Sequence, residues 1–364
     1  MANVATQQPD GLLLSEPTMF RNKFINGGMS IDQRGNGAGV TITSSTFMAD
    51  RWYSINSSGG GTLTGSIVAN TSTSNSKAVR LTATAAATSV SGSNYWHGIN
   101  QAIEGFNVAD LVGKDVTISF KFKAAISGTY PVAIRGAGTT NSYVTTIAYT
   151  GAGTTQSFTI TLNLQSSSFT EVGNGLGLAF TVGFVNTSTY QTSTLNAWQA
   201  GNKLSTTSDT NWWGTNGNYI EIGDVQLERG ITATPYETKM YSTELELCRR
   251  YYYRMNSSDA NGTAFRFAAG PVTTSTAGQG VIILPVPMRV IPTISTTGTA
   301  ANYAVYNGVA ITACNAVPTL DAAGCSFESI TINATVASGL TAGQGCAIIA
   351  NSNNTAFLAF SSEL

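Results

Sequence analysis

The sequence predicts an all-β protein: an N-terminal jelly-roll β-sandwich, a short helical joint and a smaller C-terminal β-sandwich. Three observations carry this. Apolar and polar residues alternate with a period of two in many short runs. Clusters of Gly, Ser, Thr and Asn separate those runs, and one segment, YSTELELCRRYYYR (241–254), carries the convincing helical signal. Strict alternation belongs to strands buried on one face, which is what two sheets packed face to face require.

The chain has 364 residues, a length that suits two domains. Hydrophobic residues make up 42% and charged residues only 10%. That leaves ample material for cores and much less charge than the ~25% of ordinary globular chains. Sandwiches with hydroxyl-bearing outer faces fit this composition, as does a place in a large assembly. The net charge of −1 comes from scattered residues, without the basic stripe that nucleic acid requires. No apolar run approaches the ~20 residues of a membrane span. The N-terminus MANVATQQPDGLLLSEP lacks the basic and long apolar regions of a signal peptide, so synthesis and folding in a cytoplasm are expected. Cys248, Cys314, Cys325 and Cys346 are then expected as free thiols; their spacing is not that of a zinc site, and no cofactor is expected.

Residues 1–20 show no periodicity and read as an arm that attaches to another protein through Leu12–Leu14. Residues 21–237 form the first domain. TISFKFK (117–123) places Ile118, Phe120 and Phe122 on one face, SFTITLNL (157–164) does so with Phe158, Ile160, Leu162 and Leu164, and LAFTVGF (178–184) with Leu178, Phe180, Val182 and Phe184. NSSGGGT (56–62) and GAGTT (151–155) supply turns. GDVQLERGITATPYE (223–237) ends the domain.

The joint, 238–255, follows. Thr243 and Glu246 read as a capping box, with Glu244 and Glu246 at the positive end of the helix dipole and Arg249 and Arg250 at the negative end. A helix of about nine residues is not stable alone. Leu245, Leu247, Tyr251, Tyr252 and Tyr253 are therefore expected to be covered by protein, and they are the candidate contacts of a homotrimer. Residues 256–364 form the second sandwich, with strands expected at 265–270, 279–286, 326–335, 346–351 and 356–360. Pro285, Pro287 and Pro292 mark a loop or an edge between them.

Five segments, in this order, resemble bacteriophage tail fibre and receptor-binding proteins. They are NKFINGGMSIDQRG (22–35), FMADRWY (47–53), INQAIEGFNVADLVGKDVTISFKFKA (99–124), NYIEIGDVQLERGITATPYE (218–237) and ELELCRRYYYR (244–254). The third is similar to a central strand pair, the fourth to a closing strand. The ending AFLAFSSEL departs from a family ending in which an acidic residue usually precedes the last Glu-Leu. The resemblance implies a jelly roll like those of carbohydrate-binding modules, a helical joint where subunits meet, homotrimeric assembly on the virion and contact with host-surface polysaccharide.

Candidate residues follow from the chemistry of sugars. Aromatic faces cover the apolar C–H surface of a pyranose while polar neighbours take its hydroxyls. NYWHG (94–98) and TNWWG (210–214) supply Tyr95, Trp96, His97, Trp212 and Trp213, which also read as an aromatic core or a subunit contact, with His97 in a hydrogen-bonded structural role. The C-terminal loops supply Tyr303 and Tyr306. In an extended chain Trp212 and Trp213 point to opposite faces, so at most one is exposed. Trp52 reads as core, with Arg51 held by a carboxylate. Asn26 and Asp224 are candidate calcium ligands of the kind carbohydrate-binding jelly rolls carry, although calcium needs 6–8 oxygens and the Gly27–Gly28 pair also reads as a plain turn. Polysaccharide cleavage usually needs two carboxylates at defined separation. Asp50, Glu104, Glu221, Asp224 and Glu228 read as structural, one histidine completes no triad, and the repeats of a β-helix are missing. The expected function is a non-enzymatic, trimeric virion protein, a tail fibre or receptor-binding protein. A capsid fibre or head decoration protein is the alternative, then a polysaccharide-degrading tail spike.

Overall fold

The computed structural model describes residues 20–56, 61–69, 77–87, 97–184, 189–259 and 264–364. The chain divides into two compact units. Unit 1 takes the chain up to Ser30, then Asn36–Met48 and Trp52–Met240; unit 2 takes Ile31–Gly35, Ala49–Arg51 and Tyr241–Leu364. Two short pieces of the N-terminal sequence thus fold into the C-terminal unit.

Unit 1 is a jelly-roll-like sandwich of two antiparallel sheets. The six-stranded sheet runs in the order Val40–Thr41, Thr62–Ala69, Lys77–Ala85, Tyr219–Arg229, Asp115–Ala124, Gln156–Asn163. The seven-stranded sheet runs Trp198–Ala200, Asn141–Tyr149, Gly128–Arg135, Leu176–Val182, Ile99–Glu104, Trp52–Ser54, Thr46–Ala49. Alternation explains the packing: Ile118, Phe120 and Phe122 are buried, and their rings meet those of the opposite sheet. Phe120 and Phe180 lie 6.1 Å apart, Phe122 and Tyr130 4.9 Å, within the range of favourable edge contacts.

Local departures from the expected pattern have identifiable causes. The two strands of the 99–124 segment are not a pair. Ile99–Glu104 and Asp115–Ala124 lie in opposite sheets, linked by helical turns at Gly105–Leu111. The strand that resembles a closing strand, Tyr219–Arg229, sits inside its sheet, between Lys77–Ala85 and Asp115–Ala124. Ile222 and Val225 are three residues apart yet both wholly buried, because the register slips between Gly223 and Gln226, with Asp224 at φ 49°. A β-bulge of this kind returns the next apolar residue to the core face. Leu176–Val182 is buried on both faces instead of one, since Phe184, Tyr190 and Leu204 pack with Ala133 and Val144 over the outer side of that sheet.

The start of unit 1 runs beside the bulged strand. Lys23 N–H donates to Leu227 O (2.9 Å), Val225 N–H to Gly27 O (3.0 Å), and Asn22 Nδ2 to Val225 O (2.8 Å). A Cβ on Gly27 would fall 2.2 Å from Val225 O, so only glycine permits this approach.

Unit 2 contains a three-stranded sheet, Tyr252–Asn256, Phe357–Ser361, Thr293–Thr296, and a seven-stranded sheet. The order in the latter is Ile311–Ala313, Tyr303–Tyr306, Gly345–Ala350, Arg266–Thr274, Ala277–Ile283, Ser329–Thr335, Thr319–Leu320. Phe267, Ile282, Ile330 and Ile348 from one sheet and Leu358 and Phe360 from the other share one core. The proline-rich stretch after Ile283 is a loop. The helix spans Tyr241–Arg249, so Thr243 and Glu246 lie within it and form no capping box. Its inward positions are Glu244 and Cys248, one turn apart, while Leu245 and Leu247 are half-buried. All four cysteines are free thiols.

Candidate functional site

The outer face of the six-stranded sheet in unit 1 holds a hydrogen-bonded polar array. Register places Thr64, Thr82 and Tyr219 in one row, and Ser66, Arg80, Glu221 and Lys123 in the next. Lys121 stands opposite Gly223. The alternation that buries Leu81, Ile220, Ile222 and Phe122 turns these residues outward.

Its charges are already paired. Arg80 Nε donates to Glu221 Oε1 (2.6 Å), and Lys123 Nζ lies 3.7 Å from the same oxygen. Lys121 Nζ lies 2.6 Å from Asp224 Oδ2. The Arg80 guanidinium covers the Tyr219 ring at 4.3 Å, with Lys123 Nζ 5.7 Å from the same ring. Glu221 and Asp224 are buried at the base of the array, and the cations above them are partly buried, with side chains 15–32% exposed. Gly223 and Ala78 leave a small hollow between Lys121, Lys123 and Glu221. Fixed donors and acceptors beside one aromatic ring, flanked by the exposed hydroxyls of Ser157 and Thr159, are suited to a ligand rich in hydroxyls. The outward set of TISFKFK, with Lys121 and Lys123, is legible from its alternation, but nothing local in NYIEIG says that Tyr219 and Glu221 stand beside it.

The residues singled out from sequence lie elsewhere. Trp212 and Trp213 are wholly buried, as is His97, whose ring centroid lies 4.7 Å from that of Trp213 and 5.2 Å from that of Phe184. Both indoles spend their N–H on backbone: Trp212 Nε1 donates to Gly183 O (2.8 Å) and Trp213 Nε1 to Ala85 O (3.2 Å). The TNWWG segment is a 3-10 turn, not an extended strand, so both rings enter the core rather than opposite faces. Burial depresses the His97 pKa to about 3. Tyr303 is also core; its hydroxyl donates to Phe357 O (2.6 Å) and accepts from Thr297 N–H (3.1 Å). None of these rings offers a sugar an open face. Tyr306 is half-buried on the outer side of its sheet. Tyr95 and Trp96 lie outside the described residues, as do Leu12–Leu14. Of the calcium candidates, Asn26 gives its carbonyl oxygen to Trp52 Nε1 (2.8 Å) and Asp224 is held by Lys121. No group of three His, Cys, Asp or Glu that could hold a metal occurs among the described residues.

Parts of three of the five segments, Ile31–Gly35, Ala49–Arg51 and the tyrosine run after the helix, meet the end of the chain in unit 2. Glu363 forms ion pairs with Arg34 (3.0 Å) and with Arg51, and Arg34 also reaches Asp50 (3.3 Å). Arg34 lies 3.6 Å from the Tyr252 ring centroid, and Arg51 lies 3.6 Å from that of Tyr251. Arg289 donates to the backbone oxygens of Ser362 (2.7 Å) and Glu363 (2.8 Å). The carboxylate expected to hold Arg51 is therefore Glu363, 312 residues away. Tyr251 and Tyr252 are buried under these arginines and cannot serve as contacts with another copy. Tyr253 is half-buried and stacks on Phe360, 6.4 Å between centroids. Beside them, Leu247, Thr243 and Glu246 line an open recess of about 260 Å³ with Val286 and Pro287.

No protein-family model and no curated protein matches the chain. Solved structures with a similar course include a candidate sugar-binding protein from Bacteroides thetaiotaomicron VPI-5482, at 12% identity and a TM-score of 0.35 over 57% of this chain and 100% of that one. The family 11 carbohydrate-binding module of the cellulosomal cellulase Lic26A-Cel5E of Clostridium thermocellum shares 12% identity over 53% of this chain and 99% of its own, with a TM-score of 0.29. The enzymatically active domain of tailspike protein 4 of bacteriophage CBA120 shares 11% identity over 57% of this chain and 21% of its own, with a TM-score of 0.30. These are distant likenesses of a jelly-roll-like β fold, and fold by itself names no ligand.

Proposed function

We propose that the protein is a structural virion protein of a bacteriophage, a tail fibre or receptor-binding protein that adsorbs to host-surface glycan without cleaving it. In this reading it acts as a homotrimer, joined to other virion proteins through its first 20 residues. The ordered series of fibre-like segments supports the virion role. One structural observation carries the glycan role: the open face of the six-stranded sheet, where Tyr219, Arg80, Glu221 and Lys123 are fixed to one another before any ligand arrives. Preorganised groups lose little side-chain entropy on binding. Glu221, gripped by two cations, serves as a hydrogen-bond acceptor for ligand hydroxyls. Three copies strengthen a weak site, because later contacts become intramolecular.

The test is retention of the purified chain on host cells and on immobilised host polysaccharide. Replacing Tyr219 and Arg80 together with alanine should weaken retention about tenfold, the equivalent of ~1.4 kcal/mol. Unchanged retention would remove this face from the binding site. Shortening of the polysaccharide during incubation would overturn the non-enzymatic reading.

A further inference from the structure

The outer face of the seven-stranded sheet in unit 2 carries one apolar row between polar neighbours. Register aligns Ile311, Tyr306, Ala347, Ala269 and Val281 in one row across five neighbouring strands. Ile283 lies two residues beyond Val281 on the same side. Ile283 is 75% exposed, Ile311 55% and Val281 47%, while the opposite side of the same strands fills the core with Ile282, Ile330 and Ile348. At roughly 30 Å² per CH₂ group, these three side chains alone present on the order of 200 Å² of apolar surface. Ala347 is buried and Tyr306 half-buried within the row, so its exposed apolar parts are Ile311 on one side and Ala269, Val281 and Ile283 on the other.

The margins of this face are polar and opposite in sign. Arg266 lies beside Tyr306, 5.8 Å from its ring centroid. At the other margin Gln279 Nε2 donates to Asp321 (2.8 Å) and to Asn333 (3.3 Å). An apolar centre within a polar rim is the anatomy of a subunit interface. Flat apolar sheet faces pack on one another as the layers of a sandwich do.

We infer that this face docks against the same unit of another copy of the chain, the Arg266 margin of one copy meeting the Asp321 margin of the next. The occupant is a second copy because the face supplies both halves of the complementary charge pattern and the small and branched residues that interdigitate. Symmetric closure, as a ring or a pair, then buries the face in every copy. The subunit contact thus falls on the sheet and away from the buried tyrosines that follow the helix. This inference stands apart from the glycan site, which lies in unit 1.

Light scattering of the full chain at micromolar concentration tests it. The wild type should have a mass above that of one chain, and Val281→Lys with Ile283→Lys should lower it to one chain while near-ultraviolet circular dichroism stays native. Ile231→Lys, at an exposed residue of unit 1, should leave the mass unchanged. If the double variant fails to fold, Ile283→Lys alone should lower the mass to one chain. A monomeric wild type, or a folded variant of unchanged mass, overturns the inference.

Discussion

The outer faces of two sheets, one in each unit, come from the same period-two alternation and end in opposite chemistry. On the six-stranded sheet of unit 1 the outward row reads Thr64, Thr82 and Tyr219, with Arg80, Glu221 and Lys123 beside it. On the seven-stranded sheet of unit 2 it reads Ile311, Tyr306, Ala347, Ala269 and Val281. Alternation therefore identifies a strand, while the character of its second residue set tells what will cover it. Hydroxyls and paired ions hydrogen-bond to water or to a polar ligand. Exposed isoleucines gain only by leaving water.

The comparison breaks most visibly in the cores beneath these faces. Trp213→Ala should destabilise unit 1 by ~3–5 kcal/mol, since the indole is wholly buried against His97 and leaves a cavity. Urea unfolding followed by tryptophan fluorescence reports unit 1, because Trp52, Trp198, Trp212 and Trp213 lie there and the described residues of unit 2 include no tryptophan. A loss below about 1 kcal/mol would put that ring outside the core.

Acid should then separate the units. The one histidine, His97, lies in unit 1, and its folded pKa of about 3 is below its usual 6.5. Protons therefore bind the unfolded state first. The stability contributed by neutral His97 is complete above pH 6.5 and falls as the pH drops toward 3, by on the order of 4 kcal/mol. The same fluorescence titration on His97→Gln should show a flatter dependence between those values. An identical slope in both proteins would rule out this source.

Ion pairs sharpen the contrast further. Glu363→Ala leaves Arg34 and Arg51 without their shared carboxylate in a nearly water-free setting, and should cost unit 2 about 3 kcal/mol. Arg80→Ala removes a side chain that is 32% exposed and leaves Lys123 Nζ 3.7 Å from the buried Glu221, so it should cost less, about 1–2 kcal/mol. Equal effects, measured as shifts in urea midpoint, would mean that burial does not distinguish the two clusters. The smallest change expected is Tyr303→Phe. It removes the hydroxyl that bonds to Phe357 O and costs about 1 kcal/mol, with host-cell adsorption unaltered. Altered adsorption by a folded Tyr303→Phe protein would return the C-terminal loops to consideration.

Much of the fold was legible because it is local. Ile118, Phe120 and Phe122 declare their strand within seven residues, and Tyr241–Arg249 declares its helix through leucines and terminal charges. The candidate site was less legible, because the same rings fit a binding face or an aromatic core equally well as local pattern. Trp212, Trp213 and Tyr303 are large, and removing large rings from water is favourable, so they filled the cores instead. The outward partners of the core strands, Arg80, Tyr219 and Lys123, meet only when three strands that are distant in sequence come into register.

The sequence alone determined the all-β class, the positions of several core strands, the proline-rich loop after Ile283 and the core role of Trp52. Each rests on periodicity, turn chemistry or residue size, which act over a few residues. Tertiary structure decided which sheet each strand joined, that Glu363 would hold Arg34 and Arg51, and that the slip after Gly223 would keep both Ile222 and Val225 inside. It also decided which outward faces are polar and which apolar across strands. Those outcomes depend on pairings between residues tens to hundreds of positions apart, where side-chain fit and charge select among arrangements that local pattern leaves equal.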